Sequence, residues 1–387
     1  MRIAFAVLLV LHGLIHLFGF VKGFGLVEVA ALELPSSRLE GAFWLLAAVG
    51  FVVWAVMLFV APSRWWLVGA PVLLISEALI VLVWGDAKFG TILNVIALVP
   101  LVVAMLQASP VGFRSRYRKA TAEHLAQLSA PARLVTEAEL EPLPPLVRTY
   151  LRRSGIVGKP HVEGFRARFH GRFRRDLGAS WMDFTSEQHN FVDPSARLFF
   201  MEAWLAGVPI EGLHVFAGSE ARMQVRVASI FDVVDGRGPE MNQGETVTIF
   251  NDLCVMAPAA LLDVAVRWTT LDERSVRGEL RRGEQTISAV LTFDQEGDLV
   301  DFVSGDRFLS TDGKTFRQLP WSTPMSDRRD FGGVRLPSRG LVTWKLPEGD
   351  FVYGEFLLDE IEYFPAVLAL RSVERHPSEA ASVARLA

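Results

Sequence analysis

Phe165-Arg166-Ala167-Arg168-Phe169-His170-Gly171-Arg172-Phe173-Arg174 is the stretch on which the fold turns. Apolar or small residues occupy every second position and basic residues the positions between, the period of a β-strand with one apolar and one basic face. Further strands are expected at 180–190, 197–206, 210–217, 221–227 and 230–234, each bounded by Gly, Pro, Asn or Asp. Five or six strands in succession imply an antiparallel meander.

The meander breaks at 243–262. There Val247, Phe250, Asn251, Cys254 and Ala257 keep helical spacing, and Pro258 suits the first position of a second short helix. Strands resume at 264–271, 275–281, 286–293, 299–307, 317–322, 328–331, 340–345 and 353–363, with Gln295-Glu296-Gly297-Asp298 as a turn. Upstream, Leu146, Val147, Tyr150 and Leu151 predict a helix stopped by Gly155, and 114–128 reads as a polar helix before a linker marked by Pro131. The fold class is α+β, with a curved antiparallel sheet around short helices.

The first hundred residues follow a different rule. Apolar stretches at 3–24, 41–61, 66–84 and 91–108 each approach or exceed the roughly 20 residues a membrane helix needs. Trp65, Trp66 and Trp84 stand at their ends, where aromatic belts form. The first stretch is too long for a secretory signal and lacks a small-residue cleavage site, so it reads as a retained helix. The expected organisation is a four-helix transmembrane domain (1–112), a basic juxtamembrane linker (113–136), an α+β domain (137–370) and a polar tail (371–387).

Lys and Arg near helix ends set orientation. Arg2, Arg64 and the cluster Arg114, Arg116, Arg118 and Lys119 share one side when four helices cross, against Lys22, Arg38 and Lys88 opposite. That places the protein in a bacterial cytoplasmic (inner) membrane, multi-pass, with its large domain in the cytoplasm. The net charge of −4 gives no field suited to nucleic acid. Cys254 is the single cysteine, so no intramolecular disulfide can form, and it reads as a packed thiol.

Two landmarks carry a resemblance. Gly244-Glu245-Thr246-Val247-Thr248-Ile249-Phe250-Asn251-Asp252-Leu253-Cys254-Val255-Met256-Ala257-Pro258 and Pro320-Trp321-Ser322-Thr323-Pro324 look like those of an uncharacterised bacterial family of membrane proteins. Over residues 140–364 the order of elements is also similar to the half-barrel of the lipoprotein-carrier (LolA/LolB-like) superfamily. The resemblance implies a strongly curved sheet around short helices and an apolar cavity, which in the carriers holds acyl chains. Those carriers are periplasmic and lack fused helices, which departs from the arrangement read here.

Candidate sites follow from burial chemistry. Phe165, Phe169, Phe173, Trp204 and Trp321 are expected to wall a cavity for a lipid or other hydrophobic ligand. Arg166 and Arg168 are expected to pair with an anionic headgroup, the basic face docking on anionic membrane lipids. In the first helix His12 and His16 are four apart and share a face, with Glu77 and Asn94 at depths where they could join them. Such a group fits either a proton-handling or redox site or hydrogen bonding between helices. His161, His170, His189 and His214, with Glu202, Glu211 and Asp252, are scattered over separate strands.

Enzyme motifs are poor. Asp330-Phe331-Gly332 matches a kinase triplet without its companion loops, and no nucleophile elbow, zinc helix or phosphate loop occurs. The expected function is therefore non-catalytic binding of a hydrophobic ligand at the membrane, with no cofactor and no metal. The alternatives are redox or proton handling through His12, His16 and Glu77, and a structural or sensory module that binds a protein through a sheet edge.

Overall fold

The computed structural model describes residues 2–29, 32–128 and 133–364. Pro131 and the tail from Arg371, expected as linker and polar end, lie outside the described residues. The chain separates into two compact units, Met1–Gly112 and Phe113–Ala387.

The first unit is helical. It contains α1 (Arg2–Gly23), α2 (Arg38–Val60), α3 (Trp66–Leu82), the single turn α4 (Trp84–Ala87) and α5 (Gly90–Ala108). A capping box starts α2, with Glu40 N donating to Ser37 Oγ at 3.2 Å and Ser37 N donating to the Glu40 carboxylate at 2.6 Å. α1 and α2 approach at backbone distance: a Cβ on Gly23 would lie 2.7 Å from Gly41 Cα. That is the small-residue contact by which helices pack in lipid. Phe51, Trp54, Leu9 and Ala97 fill the interior, while Leu11, Phe18, Phe59 and Ile92 face outward.

Three helical segments are long and apolar enough to cross a membrane, Arg2–Gly23, Arg38–Val60 and the one beginning at Gly90. This corrects the expectation of four. α3 has 17 residues, about 25 Å at 1.5 Å per residue against a hydrocarbon core of about 30 Å. The apolar sequence runs on to Trp84, but Val83 leaves the helical region (φ −118°) and a separate turn begins there.

In the second unit, α6 (Phe113–Leu125), α7 (Glu137–Leu140) and α8 (Pro145–Arg153) precede the sheet. Six strands follow: β1 (Gly164–Phe173), β2 (Met182–Phe191), β3 (Ala196–Leu205), β4 (Val208–Ala217), β5 (Glu220–Val227) and β6 (Phe231–Gly236). Helix α9 (Pro239–Met256) and a 3-10 turn (Pro258–Leu262) then interrupt. The second run comprises β7 (Val266–Thr270), β8 (Ser275–Arg282), β9 (Gln285–Phe293), β10 (Leu299–Leu309), β11 (Arg317–Ser322), β12 (Met325–Phe331), β13 (Val334–Leu346) and β14 (Gly349–Phe364).

All these strands join one antiparallel sheet in the order β6-β5-β4-β3-β2-β1-β14-β13-β11-β10-β9-β8-β7, with β12 paired to β13. The two meanders therefore meet at a seam, where Phe165 is opposite Tyr363 and His170 opposite Leu357. The path ends at β6 and β7, and α9 is the connection between those two edges. It touches β5 in one half and β9, β10 and β13 in the other. β5 and β10 stand eight strand spacings apart, about 38 Å in a flat sheet, and a helix is about 10–12 Å across. Only a sheet curled around α9 permits both contacts, so the architecture is a half-barrel.

Burial explains the helix. Every residue from Gly244 to Cys254 is buried, as expected for a helix enclosed on all sides. Phe302, Trp321, Leu291 and Phe165 belong to the core that surrounds it, into which Phe250 of the helix packs. Tyr150 of α8 closes one end, donating to Cys254 O at 2.6 Å. The rims of the curl also meet. Arg282 of β8 donates to Ser195 O and Gly218 O beyond β2 and β4, and Gly313 (φ +72°) lies so near Gly236 N that a Cβ would stand 2.8 Å away.

On the opposite face of the sheet, α6 docks through Phe113 and Tyr117 onto Phe191, Leu198, Phe200 and Leu213. Arg114 bonds Glu202 at 2.7 Å and stacks on Phe200. Part of the basic cluster thus engages the sheet itself.

Candidate functional site

Under α9 the half-barrel keeps a cavity of about 420 Å³. Its wall is mostly apolar, including Phe169 and Phe173 from β1, Phe199 and Met201 from β3, and Trp344 from β13. A site of this size lies within the roughly 300–1,000 Å³ of small-molecule pockets.

The alternation of β1 decides which aromatics reach it. Phe169 and Phe173 line the open part of the cavity together with Trp321. Phe165 shares their row but lies in the packed end, fully buried against Tyr363. Trp204 does not join them. It is 53% exposed, because the β3 row that faces the cavity is Arg197, Phe199 and Met201, and Trp204 falls on the other parity.

Arg166 and Arg168 are likewise on the outer face. Arg166 bonds Glu187 at 3.0 Å and Glu362 at 3.4 Å, and Arg168 bonds Glu360 at 3.4 Å. Arg172 is tied to Glu355 at 2.7 Å. The basic row is thus a ladder of cross-strand ion pairs with the acidic row of β14 and Glu187 of β2, and it stands away from the cavity.

A buried charge cluster forms part of the cavity wall. Arg197, 7% exposed, donates to Asp252 at 2.8 Å, to Glu245 at 3.1 Å and to Gln188 at 3.4 Å. Asn190 Nδ2 donates to Asp252 at 3.0 Å. Burial works against ionisation of Glu245, but the Arg197 charge outweighs it and holds that carboxyl well below its usual range. His214 Nδ1 stands 3.6 Å from Glu245. Arg197, Glu245 and the role of Asp252 were not anticipated. Glu245 and Asp252 are seven apart in α9, hence on one face, and that spacing was the available signal.

Of the remaining scattered acids and histidines, Glu211 is buried and bonded to Ser229 at 2.7 Å, Glu202 pairs with Arg114, and His170 with Asp359. Asp294, Glu296 and Asp298 bring three carboxylates within metal-binding distance. Asp298, however, is already bound by Arg153 and by Arg335, the latter at 2.6 Å.

In the first unit, all four polar candidates come together. His12 Nε2 and Asn94 Oδ1 are 2.9 Å apart, and His16 Nε2 and Ser76 Oγ 2.8 Å. Asn94 Nδ2 donates to Ser76 Oγ at 2.9 Å and to Glu77 at 2.8 Å, and Thr91 Oγ1 donates to the same carboxylate at 2.8 Å. The chain of bonds ties α1, α3 and α5 at a depth where His12 is 1% and Asn94 5% exposed. Ser76 and Thr91 complete it.

Fold and site define a class: an α+β protein with apolar helices of membrane length and a half-barrel enclosing an apolar cavity. The chain belongs to the family of unknown function DUF6544, whose model matches residues 133–356, more than half of its length. No curated protein matches the sequence. Among solved structures it is similar to a DUF1329 family protein from Desulfovibrio piger (10% identity, TM-score 0.33), over 60% of this chain and 94% of that one. It is also similar to a LolA superfamily protein from Nitrosomonas europaea (9% identity, TM-score 0.28), over 61% of this chain and 97% of that one.

Proposed function

We propose that the half-barrel binds a hydrophobic ligand, a lipid or acyl chain, without chemistry, and that the apolar helices anchor it in a membrane. The cavity under α9 carries this reading: about 420 Å³ walled by Phe169, Phe173, Met201, Trp321 and Trp344. Moving apolar area from water into such a wall is worth about 25 cal/mol per Å². The test is photo-crosslinking of the full-length protein with a diazirine fatty acid. Adducts on β1, β3 and β10, lost in Phe169→Asp, support the reading; adducts confined to the helices of the first unit overturn it.

We place the protein in the bacterial inner membrane with the half-barrel in the cytoplasm, from the basic cluster Arg114–Lys119 that follows the last apolar helix. Four crossings put both ends of the chain on one side and three put them on opposite sides. Fusions of a reporter active only outside the cytoplasm, at residue 2 and at residue 364, separate these: no activity at residue 364 supports the placement, with activity at residue 2 marking three crossings and its absence four, while activity at residue 364 overturns it.

A second reading has one observation in its favour, the bonded chain His12–Asn94–Glu77 with His16 and Ser76. A carboxylate and two imidazoles linked inside a helical bundle could pass a proton or hold a redox group. An absorbance scan and metal analysis of the purified protein, with proton flux in vesicles, decide it: no chromophore, no metal and no flux leave the network a purely structural tie between helices.

A further inference from the structure

The charges around the cavity bear on the kind of hydrophobic ligand it accepts. Arg174, Arg175, Arg197, Arg307 and Arg339 line it, as do Glu240, Glu245 and Asp252. Most are engaged. Arg197 bridges Glu245 and Asp252, and Arg339 Nε donates to Glu355 at 2.7 Å. Arg175 pairs with Asp176, and Arg174 Nε donates to Val352 O at 2.9 Å. Glu240 stands in the first turn of α9, where the helix dipole favours a negative charge.

Arg307 is different. Among the described residues its guanidinium has no hydrogen bond and no ion pair. Its Cζ lies over the Trp321 ring, 4.1 Å from the ring centre, and 5.9 Å from that of Trp344. It feels the field of Glu245, but that carboxylate is already bonded to Arg197 at 3.1 Å. The pairing of β10 with β11 shifts register between Ser304 and Arg307, a bulge of the kind that re-aims a side chain. A guanidinium presents five N–H donors in a plane that matches carboxylate and phosphate oxygens, and stacking on indole holds that plane without using the donors.

We propose that the cavity takes an anionic amphiphile, its carboxylate or phosphate bound by Arg307 and its chain lying along Phe169, Phe173 and Met201. This rests on the reading of the cavity as a site for a lipid or acyl chain. It moves the headgroup contact from the outer arginines to one inside the wall.

The test is a binding titration of the full-length protein in peptidiscs with three fluorescent probes of equal chain length: a fatty acid, its methyl ester and an alkyl phosphate. The expected result is that the acid or the phosphate binds about tenfold more tightly than the ester. Arg307→Gln brings the acid and the phosphate down to the affinity of the ester, while Arg307→Lys keeps part of the preference, and a denaturation midpoint equal to the native one shows that each variant is folded. Equal binding of all three probes by the native protein, or a preference that survives Arg307→Gln, overturns the headgroup assignment and leaves the cavity reading standing. Binding of none of the three overturns both. The larger preference, for carboxylate or for phosphate, identifies the headgroup.

Discussion

Tyr117 Oη lies 2.6 Å from His189 Nδ1, joining α6 to the outer face of β2 through a buried hydrogen bond. Burial lowers the His189 pKa to about 4, from an ordinary value near 6.5. The folded state therefore binds its proton less readily than the unfolded chain does. The associated stability is complete above about pH 6.5 and is lost as pH falls toward 4, by up to about 3 kcal/mol. Urea denaturation of the native protein between pH 7 and pH 4, beside His189→Gln, checks this: the variant should show a shallower slope in that window.

Arg197→Met leaves Glu245 and Asp252 buried without their cation. Removing one partner of such a cluster costs about 3–5 kcal/mol. The triple change Arg197→Met, Glu245→Gln and Asp252→Asn should recover much of the loss, since no uncompensated charge remains. Denaturation midpoints of the single and triple variants measure both effects; an unaltered midpoint in the single variant would show that the cluster is not buried as described.

The parity of β1 and β3 separates two aromatic substitutions. Phe169→Asp places a carboxylate in the cavity wall and should reduce uptake of a neutral acyl probe by tenfold or more, whereas Trp204→Asp, on the outer face, should leave it within twofold. Fluorescence titration of the two variants reads the difference directly.

Asn94→Leu removes the hub that serves His12, Ser76 and Glu77 together. Hydrogen bonds between membrane helices are worth about 0.6–2 kcal/mol each. The variant should unfold at lower temperature in detergent, while Ile92→Leu, on the outer surface, should not. Thermal unfolding followed by tryptophan fluorescence tests the pair, and an Asn94→Leu midpoint equal to the native one would remove the network from the account of helix packing.

Much of this organisation is legible locally. The alternation from Phe165 to Phe173 appears as β1, and the helical spacing of Val247, Phe250 and Cys254 appears as α9, followed by a 3-10 turn at Pro258. A spacing of four puts the imidazoles of His12 and His16 on one helix face, and Asn94 bonds His12 on one side and Glu77 on the other. Other features needed partners distant in sequence. Trp204 looked like a wall residue because its row could not be assigned without the register of β3 against β2 and β4. The expectation that Arg166 and Arg168 meet an anionic headgroup could not take account of the glutamates that bind them, which lie on β2 and β14.

Periodicity, apolar run length and turn residues act over a few positions, so the amino-acid sequence by itself determined the α+β class, the strand succession, the interrupting helix and the apolar N-terminal helices. Where α9 crosses the sheet, how far the sheet curls, which row faces the cavity and which charges are already neutralised depend on contacts between segments up to about two hundred residues apart. Those contacts exist only once β1 pairs with β14, and they alone distinguish Arg307, seated over Trp321 with no hydrogen bond from its guanidinium among the described residues, from the arginines that the fold has already spent on carboxylates.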